Sequence, residues 1–510
     1  MSSLKQRNAK YIVAIDQGTT GTTVALVSAS SFKFIDKVTN EFPQIYPAPG
    51  RVEHNLNDIW KSVTKGITKI ISKNKINAKN IMAIGITNQR ETVCAFDSKG
   101  TPLANAIVWQ DRRTADFCNN INQTNPALAA RLKELTGLPL DPYFSASKIK
   151  WLIENNAKVQ KIQKTGNNKN FLHFGNIDTY LLYQLSGGTA FATEASNASR
   201  TMLMNLRNCK WDDELLNFFK VDKNFLPEIK NSFGLFGHTK KLKILPDGIP
   251  IAGILGDQQA ALFGQAGFSA GDLKCTYGTG AFLLLNCGTN IVNSNKGLLS
   301  TVAFLKDGVA HYALEGSCYI AGAAVQWIRD NLKLIKKSSE IENLAKKVRD
   351  LSQLEHLLFL PFFTGIGSPY WNASAKGAIL GITRDTRPEH LARATLDGIA
   401  LSVNDLIQAI RQEISSGVIT LSVDGGAAAN NLLMEIQATV SGLKIIRPKI
   451  IETTAYGAAL AAAIGVGIFS MEEIRSLWSK EREFIANDSW DVYYRKKKER
   501  WSKIIQSGLL

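Results

Sequence analysis

No two cysteines of this 510-residue chain form a C-x-x-C pair, and none of the six (Cys94, Cys118, Cys209, Cys275, Cys287, Cys318) joins a histidine at metal-ligand spacing. That excludes zinc fingers and ribbons, and an even count alone does not make a disulfide framework in so long a chain. The thiols read as reduced, which suits a cytoplasmic protein. Long apolar runs are lacking as well. The longest uncharged run of apolar and small residues, Ala455–Phe469, is too short for a comfortable bilayer span. Its alanines and glycines suit a helix packed closely on a sheet or another helix. The stretch Ser2–Lys10 is mostly polar and has no apolar core of a secretory signal. No low-complexity segment or Pro/Gly/Ser-rich linker divides the chain. There is no G-x-x-x-x-G-K-[ST] loop, which argues against a P-loop fold, and the loop set of a protein kinase is missing.

What is present suits a two-domain α/β protein. The length exceeds one ordinary core, and 45% hydrophobic with 20% charged residues is the balance of a globular chain. Apolar runs at Tyr11–Ile15, Ile81–Ile86 and Ile249–Leu255 read as buried strands. Leu391, Leu396, Ile399, Val403, Leu406 and Ile410 recur at helical spacing. Lys and Arg number 60 against 44 Asp and Glu, a net charge of +16. The lysines are scattered, so the excess reads as a basic surface that weakly steers anions. The densest run, Arg495–Arg500, adjoins Tyr493, Tyr494 and Trp501. Those rings offer base stacking or flank a solvated helix face; with no nucleic-acid motif nearby, the second reading is preferred and no nucleic-acid partner is expected.

One internal similarity organises the rest. Strand Tyr11–Ile15 leads into Asp16-Gln17-Gly18-Thr19-Thr20-Gly21-Thr22 and a second strand, while Leu273–Tyr277 leads into Gly278-Thr279-Gly280 and Ala281–Leu285. Each is strand, Gly/Thr turn, strand. The pair predicts two related domains, residues 1–264 and 265–510, each presenting one turn to a shared cleft. Alone, either turn reads more readily as an ordinary structural hairpin than as a phosphate site.

Gly18, Thr19, Thr20 and Gly21 offer backbone N–H and hydroxyl donors to phosphate, and Asp16 offers a carboxylate for Mg²⁺. A third glycine turn, Asp424-Gly425-Gly426 through Asn430, follows a strand beginning near Val418 and opens a helix. Its small residues leave room for a base or ribose, with Asn430 as a polar contact, or simply allow close helix–sheet packing. Asp257 sits at a strand-to-helix junction, where it is a catalytic carboxylate or a helix cap. Asn88-Gln89-Arg90-Glu91 ends another strand and can hydrogen-bond a polyol, or forms a surface ion pair. Trp109, closing Ile107-Val108-Trp109, offers a flat face to C–H groups or packs in the core.

Together these segments resemble the FGGY carbohydrate-kinase family, and within it the branch that acts on glycerol. The resemblance runs from Tyr11 to Phe484. It rests on Asp16–Thr20, Ile86–Thr92, Val108–Gln110, Asp141–Ser145, Gly256–Gly264, Thr276–Gly280 and Gly367–Trp371. It implies two actin-like (ribonuclease H-like) α/β domains with ATP bound between them, and γ-phosphoryl transfer from MgATP to glycerol. By position it implies Arg90, Glu91, Tyr143, Asp257 and Gln258 as glycerol ligands, with Trp109 and Phe282 as apolar walls. Thr19, Thr20, Gly21, Thr279, Gly322, Gln326, Gly426 and Asn430 match nucleotide contacts. Asp16 matches the magnesium-side carboxylate and Asp257 the catalytic base. A cytoplasmic homo-oligomer, dimer or tetramer, is implied too. The resemblance departs at Thr23, where many members carry an arginine that touches nucleotide phosphate. It departs again at Thr239–Asp247, which lacks the glycine-rich, arginine-bearing loop of sugar-bisphosphate regulation. Its rivals are a family member acting on a ketose, a pentitol or a sugar acid, and a non-catalytic actin-like nucleotide switch.

Overall fold

The computed structural model describes residues 10–165, 171–372, 374–414, 417 and 419–507. Most of the polar stretch Ser2–Lys10, and Val418 of the expected third-turn strand, lie outside them. Two large mixed sheets dominate. The first contains β1 (Tyr11–Gln17), β2 (Gly21–Ser28), β3 (Phe34–Glu41), β4 (Ile81–Asn88), β5 (Phe233–His238) and β6 (Pro250–Gly256). The second contains β7 (Leu273–Tyr277), β8 (Ala281–Gly288), β9 (Leu299–Lys306), β10 (Val309–Cys318), β11 (Thr420–Asp424), β12 (Lys444–Pro448) and β13 (Lys480–Phe484).

Their orders repeat one plan. The first runs β3-β2-β1-β4-β6-β5 and the second β10-β8-β7-β11-β12-β13, with β9 added at the β10 edge. In each, an antiparallel hairpin (β1–β2, β7–β8) is followed on its inner side by two parallel strands and an antiparallel edge strand. The two Gly/Thr turns are therefore equivalent, as the sequence similarity predicts. A parallel strand needs a crossover, and its C-terminal end is where open α/β sheets present their loops.

The helices that cover these sheets include α1 (Leu56–Lys73), α2 (Asp257–Gly264), α3 (Gly322–Asp330), α4 (Pro388–Glu413), α5 (Asn431–Ser441), α6 (Thr453–Gly465) and α7 (Asp491–Gln506). Helix α1 covers one face of the first sheet through Leu56, Ile59, Val63, Ile67 and Ile70. The other face is covered by α6, although α6 lies late in the chain. This is the tightly packed helix that Ala455–Phe469 predicts. A Cβ on Gly85 of β4 would stand 2.0 Å from the Ala458 carbonyl oxygen, so backbone meets backbone there. The long helix α4 is the predicted amphipathic one and anchors the second core.

Helix α7 turns its rings inward. The Tyr493 and Tyr494 hydroxyls donate to Asp397 of α4, Trp501 Nε1 donates to Asp405, and Lys497 is buried against Asp397. Only part of the basic run forms a solvated face. The rings are core and are not free to stack on bases.

Candidate functional site

Both hairpin turns close in the same way. Gly18 N–H donates to Gly21 O and Gly278 N–H donates to Gly280 O, each at 2.9 Å. Thr20 and Thr279 are exposed, and Thr19 and Gly21 are half-buried. The second turn is tied to the start of α3, where Gly322 N–H donates to Gly278 O at 3.0 Å and Ala323 N–H to Thr279 O at 3.1 Å. A Cβ on Gly322 would stand 3.9 Å from the Ala427 Cβ, so the third glycine turn meets the same place. There Gly425 holds φ +85° against the Tyr277 carbonyl, which excludes other residues, and Gly426 has open space around it. Asn430 caps α5 by accepting from Leu433 N–H at 2.9 Å, which leaves its amide NH₂ to donate elsewhere. Gln326 lies one turn beyond Gly322 on α3 and is exposed. The structure thus gathers Thr279, Gly322, Gln326, Gly426 and Asn430. At Thr23 the side chain bonds its neutral neighbour Thr39, Oγ1 to Oγ1 at 2.9 Å, and supplies no cation.

The predicted polyol residues gather at the ends of β4 and β6. Arg90 Nη1 and Nη2 donate to the two oxygens of Glu315 at 2.5 and 2.8 Å, and its Nε lies 3.0 Å from Asp257 Oδ1. Arg200 Nε donates to Glu91 Oε1 at 2.5 Å, and Arg200 Nη2 lies 3.2 Å from Glu315 Oε1. The order is Asp257–Arg90–Glu315–Arg200–Glu91, alternating in sign. All but Asp257 are almost wholly buried; the Asp257 side chain is 29% exposed. Burial by itself raises the Glu315 carboxyl, but Arg200 and Arg90 overcome that and hold it at about 2. Glu91 moves the other way: burial raises it and the two arginines only partly offset this. Glu91 also holds φ +59°, a strained conformation for a non-glycine residue, with Ser145 Oγ donating to its carbonyl at 3.1 Å.

The remaining members stand beside this chain. Trp109 packs edge-on to Tyr143 with centroids 5.6 Å apart, and its Nε1 donates to Thr19 Oγ1 at 2.9 Å, joining the polyol wall to the first phosphate turn. On the second sheet Lys274, Leu284 and Glu315 form one cross-strand row, with Thr276, Phe282 and Ser317 in the next row. Directly opposed residues share a face, so Phe282 lies on the Glu315 side. Lys274 Nζ donates to Gln258 Oε1 at 2.6 Å and to Thr276 Oγ1 at 2.9 Å.

Asp257 is the first residue of α2, after Gly256 at the cap position, which makes no side-chain cap bond. Among the described residues, the backbone bond to its side chain is from the adjacent Gln258 N–H, at 2.7 Å. An N-cap serves the second or third residue beyond itself, so Asp257 does not cap α2. Burial pushes the Asp16 carboxyl up to about 7; Asp257 and Glu452 add to the rise and Lys37 opposes it. A divalent cation would reverse both the burial cost and the repulsion, so Asp16 fits the magnesium role. No group of three or more His, Cys, Asp or Glu that could hold a metal occurs among the described residues.

Three residues of this site escaped sequence reasoning: Glu315, Arg200 and Lys274. Two carried a signal, because Glu315 and Lys274 are the lone formal charges in largely apolar strands. A buried charge demands a partner.

The fold and the site together are those of a sugar- and polyol-phosphorylating enzyme, and sequence comparison agrees. Residues 11–264 match the N-terminal domain, and residues 273–466 the C-terminal domain, of the FGGY family of carbohydrate kinases; the chain belongs to that family. Within it, the chain is 46% identical over 480 residues to a glycerol kinase of Myxococcus xanthus, covering 93% of this chain and 95% of that one. It is 45% identical over 502 residues to glycerol kinase 2 of Sulfolobus acidocaldarius, covering 98% of each. Among solved structures, Plasmodium falciparum glycerol kinase with ADP superposes with a TM-score of 0.87 at 34% identity, covering 98% of this chain and 99% of that one. A gluconate kinase of Lactobacillus acidophilus shares the fold, with a TM-score of 0.85 at 22% identity over 98% of each chain.

Proposed function

We propose that this kinase moves the γ-phosphoryl group of MgATP to a terminal hydroxyl of glycerol, giving glycerol 3-phosphate. The observation that carries the reading is the chain of charges from Asp257 to Glu91. Its interior is neutralised and its one solvent-reachable end is a carboxylate beside the phosphate turns. In this reading residues 1–264 hold the polyol and the first turn, and residues 265–510 hold the second turn and the adenosine. Arg90, Glu91, Tyr143 and Gln258 take the hydroxyls while Trp109 and Phe282 cover carbon. Thr19, Thr20, Gly21 and Thr279 donate to phosphate oxygens, and Gly322, Gln326, Gly426 and Asn430 receive the nucleoside. Asp257 orients the attacking hydroxyl and accepts its proton as the O–P bond forms. Asp16 would hold Mg²⁺, whose charge neutralises the phosphates. The six free thiols favour a reducing, cytoplasmic setting. No described helix is long and apolar enough to cross a membrane.

With ATP and Mg²⁺ supplied, ADP release across a panel of polyols and sugars should be fastest per affinity with glycerol. Dihydroxyacetone and glyceraldehyde keep part of the hydroxyl pattern and should be weaker acceptors. Higher kcat/KM on xylulose or gluconate would overturn the substrate assignment. Asp16→Ala should raise the Mg²⁺ concentration needed for half-maximal rate; an unchanged requirement removes Asp16 from the metal.

A further inference from the structure

Arg90 and Glu91 leave the same strand end, yet nothing on that strand holds their charged groups. Both are held from elsewhere. Glu315, on β10 of the second sheet, receives two parallel bonds from Arg90 and a contact from Arg200, and Arg200 in turn grips Glu91. One fully buried carboxylate therefore sets the direction of two groups that the polyol reading requires.

We propose that Glu315 is the positioning residue of the polyol subsite, acting directly on Arg90 and through Arg200 on Glu91. The inference rests on the glycerol reading above. Its physical basis is the donor count. Arg90 offers five N–H bonds; two go to Glu315, one to Gln259 Oε1 at 3.1 Å, and its Nε faces Asp257. Three N–H are thus hydrogen-bonded; the Nε N–H and one on Nη2 are not, and the bidentate pair with Glu315 fixes the direction of both. Arg200 has less freedom still: its guanidinium lies 5.6 Å over the Tyr143 ring and 5.3 Å over the Phe144 ring. Because β10 belongs to the second sheet, the geometry of the polyol ligands depends on how the two halves of the chain meet. Glu315 thereby links subsite geometry to that meeting without touching the polyol.

The test is the split between two Michaelis constants. Glu315→Gln keeps the size but turns an NH₂ toward arginine N–H groups. Its glycerol KM should rise by roughly 10–100-fold, the loss expected of charge-assisted bonds. Its ATP KM at saturating glycerol should stay within about two-fold, since that contact set is separate. Arg200→Lys keeps the charge but cannot span Glu91 and Glu315 with one planar fork, and should show the same split. It also serves if Glu315→Gln does not fold. Folded variants with the wild-type glycerol KM overturn the proposal. So does a parallel rise of both constants, or failure of both variants to fold, which would assign the network to stability. Should the wild-type enzyme prefer another acceptor, the glycerol assignment fails separately, and the same split read with that acceptor decides the role of Glu315.

Discussion

Replacing Asp257 by asparagine is expected to lower turnover by about 10²–10⁴-fold, the usual cost of removing a general base. Binding of glycerol and ATP should be largely retained. An alcohol is a poor nucleophile whose proton must leave as the O–P bond forms, and asparagine can still orient the hydroxyl but cannot take that proton. The other carboxylates of the charge chain cannot substitute. Glu315 is committed to two arginines and Glu91 to one, and both are almost wholly buried. Within that chain of charges, Asp257 is the carboxylate that combines solvent access with a single cation, Arg90, on one of its oxygens. A purely structural Asp257 predicts the opposite, because the side-chain oxygen of asparagine can still accept from the Gln258 N–H. Steady-state turnover and glycerol-induced thermal shift, measured on one folded preparation, separate the two. An Asp257→Asn enzyme with most of its turnover would remove this residue from the chemistry.

The turns were legible in the sequence because their chemistry is local. A glycine and a threonine between two apolar runs state their own geometry, and their repetition states the pseudo-symmetry that β1–β2 and β7–β8 display. The strand-end positions of Arg90 and Asp257 were legible for the same reason. What holds them was not. Glu315 and Arg200 lie far along the chain from Arg90, and only the folded contacts show which charges meet. A lone formal charge in a largely apolar strand announces that a partner exists without naming it. Helix α6 shows the same boundary. Its alanine and glycine content told of close packing, but not that it would cover the first sheet from a place so late in the chain.

That packing yields the second large effect. Gly457→Ala should destabilise the fold by about 1–3 kcal/mol or more, as overpacking does. Helix propensity forecasts the reverse, since alanine is better than glycine in a helix interior by about 1 kcal/mol. The contact decides the sign. A Cβ at residue 457 would lie 1.9 Å from the Ala260 carbonyl oxygen and 2.9 Å from the Gly264 nitrogen, both backbone atoms of α2. Neither can turn aside as a flexible side chain would, so α6 and α2 must move apart. Helix α2 begins at Asp257 and carries Gln258, and its displacement reaches the active carboxylate directly. The mutant should therefore lose turnover beyond its loss of stability, with a lower denaturant midpoint and a reduced kcat under conditions where it is fully folded. A midpoint raised by the substitution would show that helix propensity outweighs the contact, and that the two helices have slack between them.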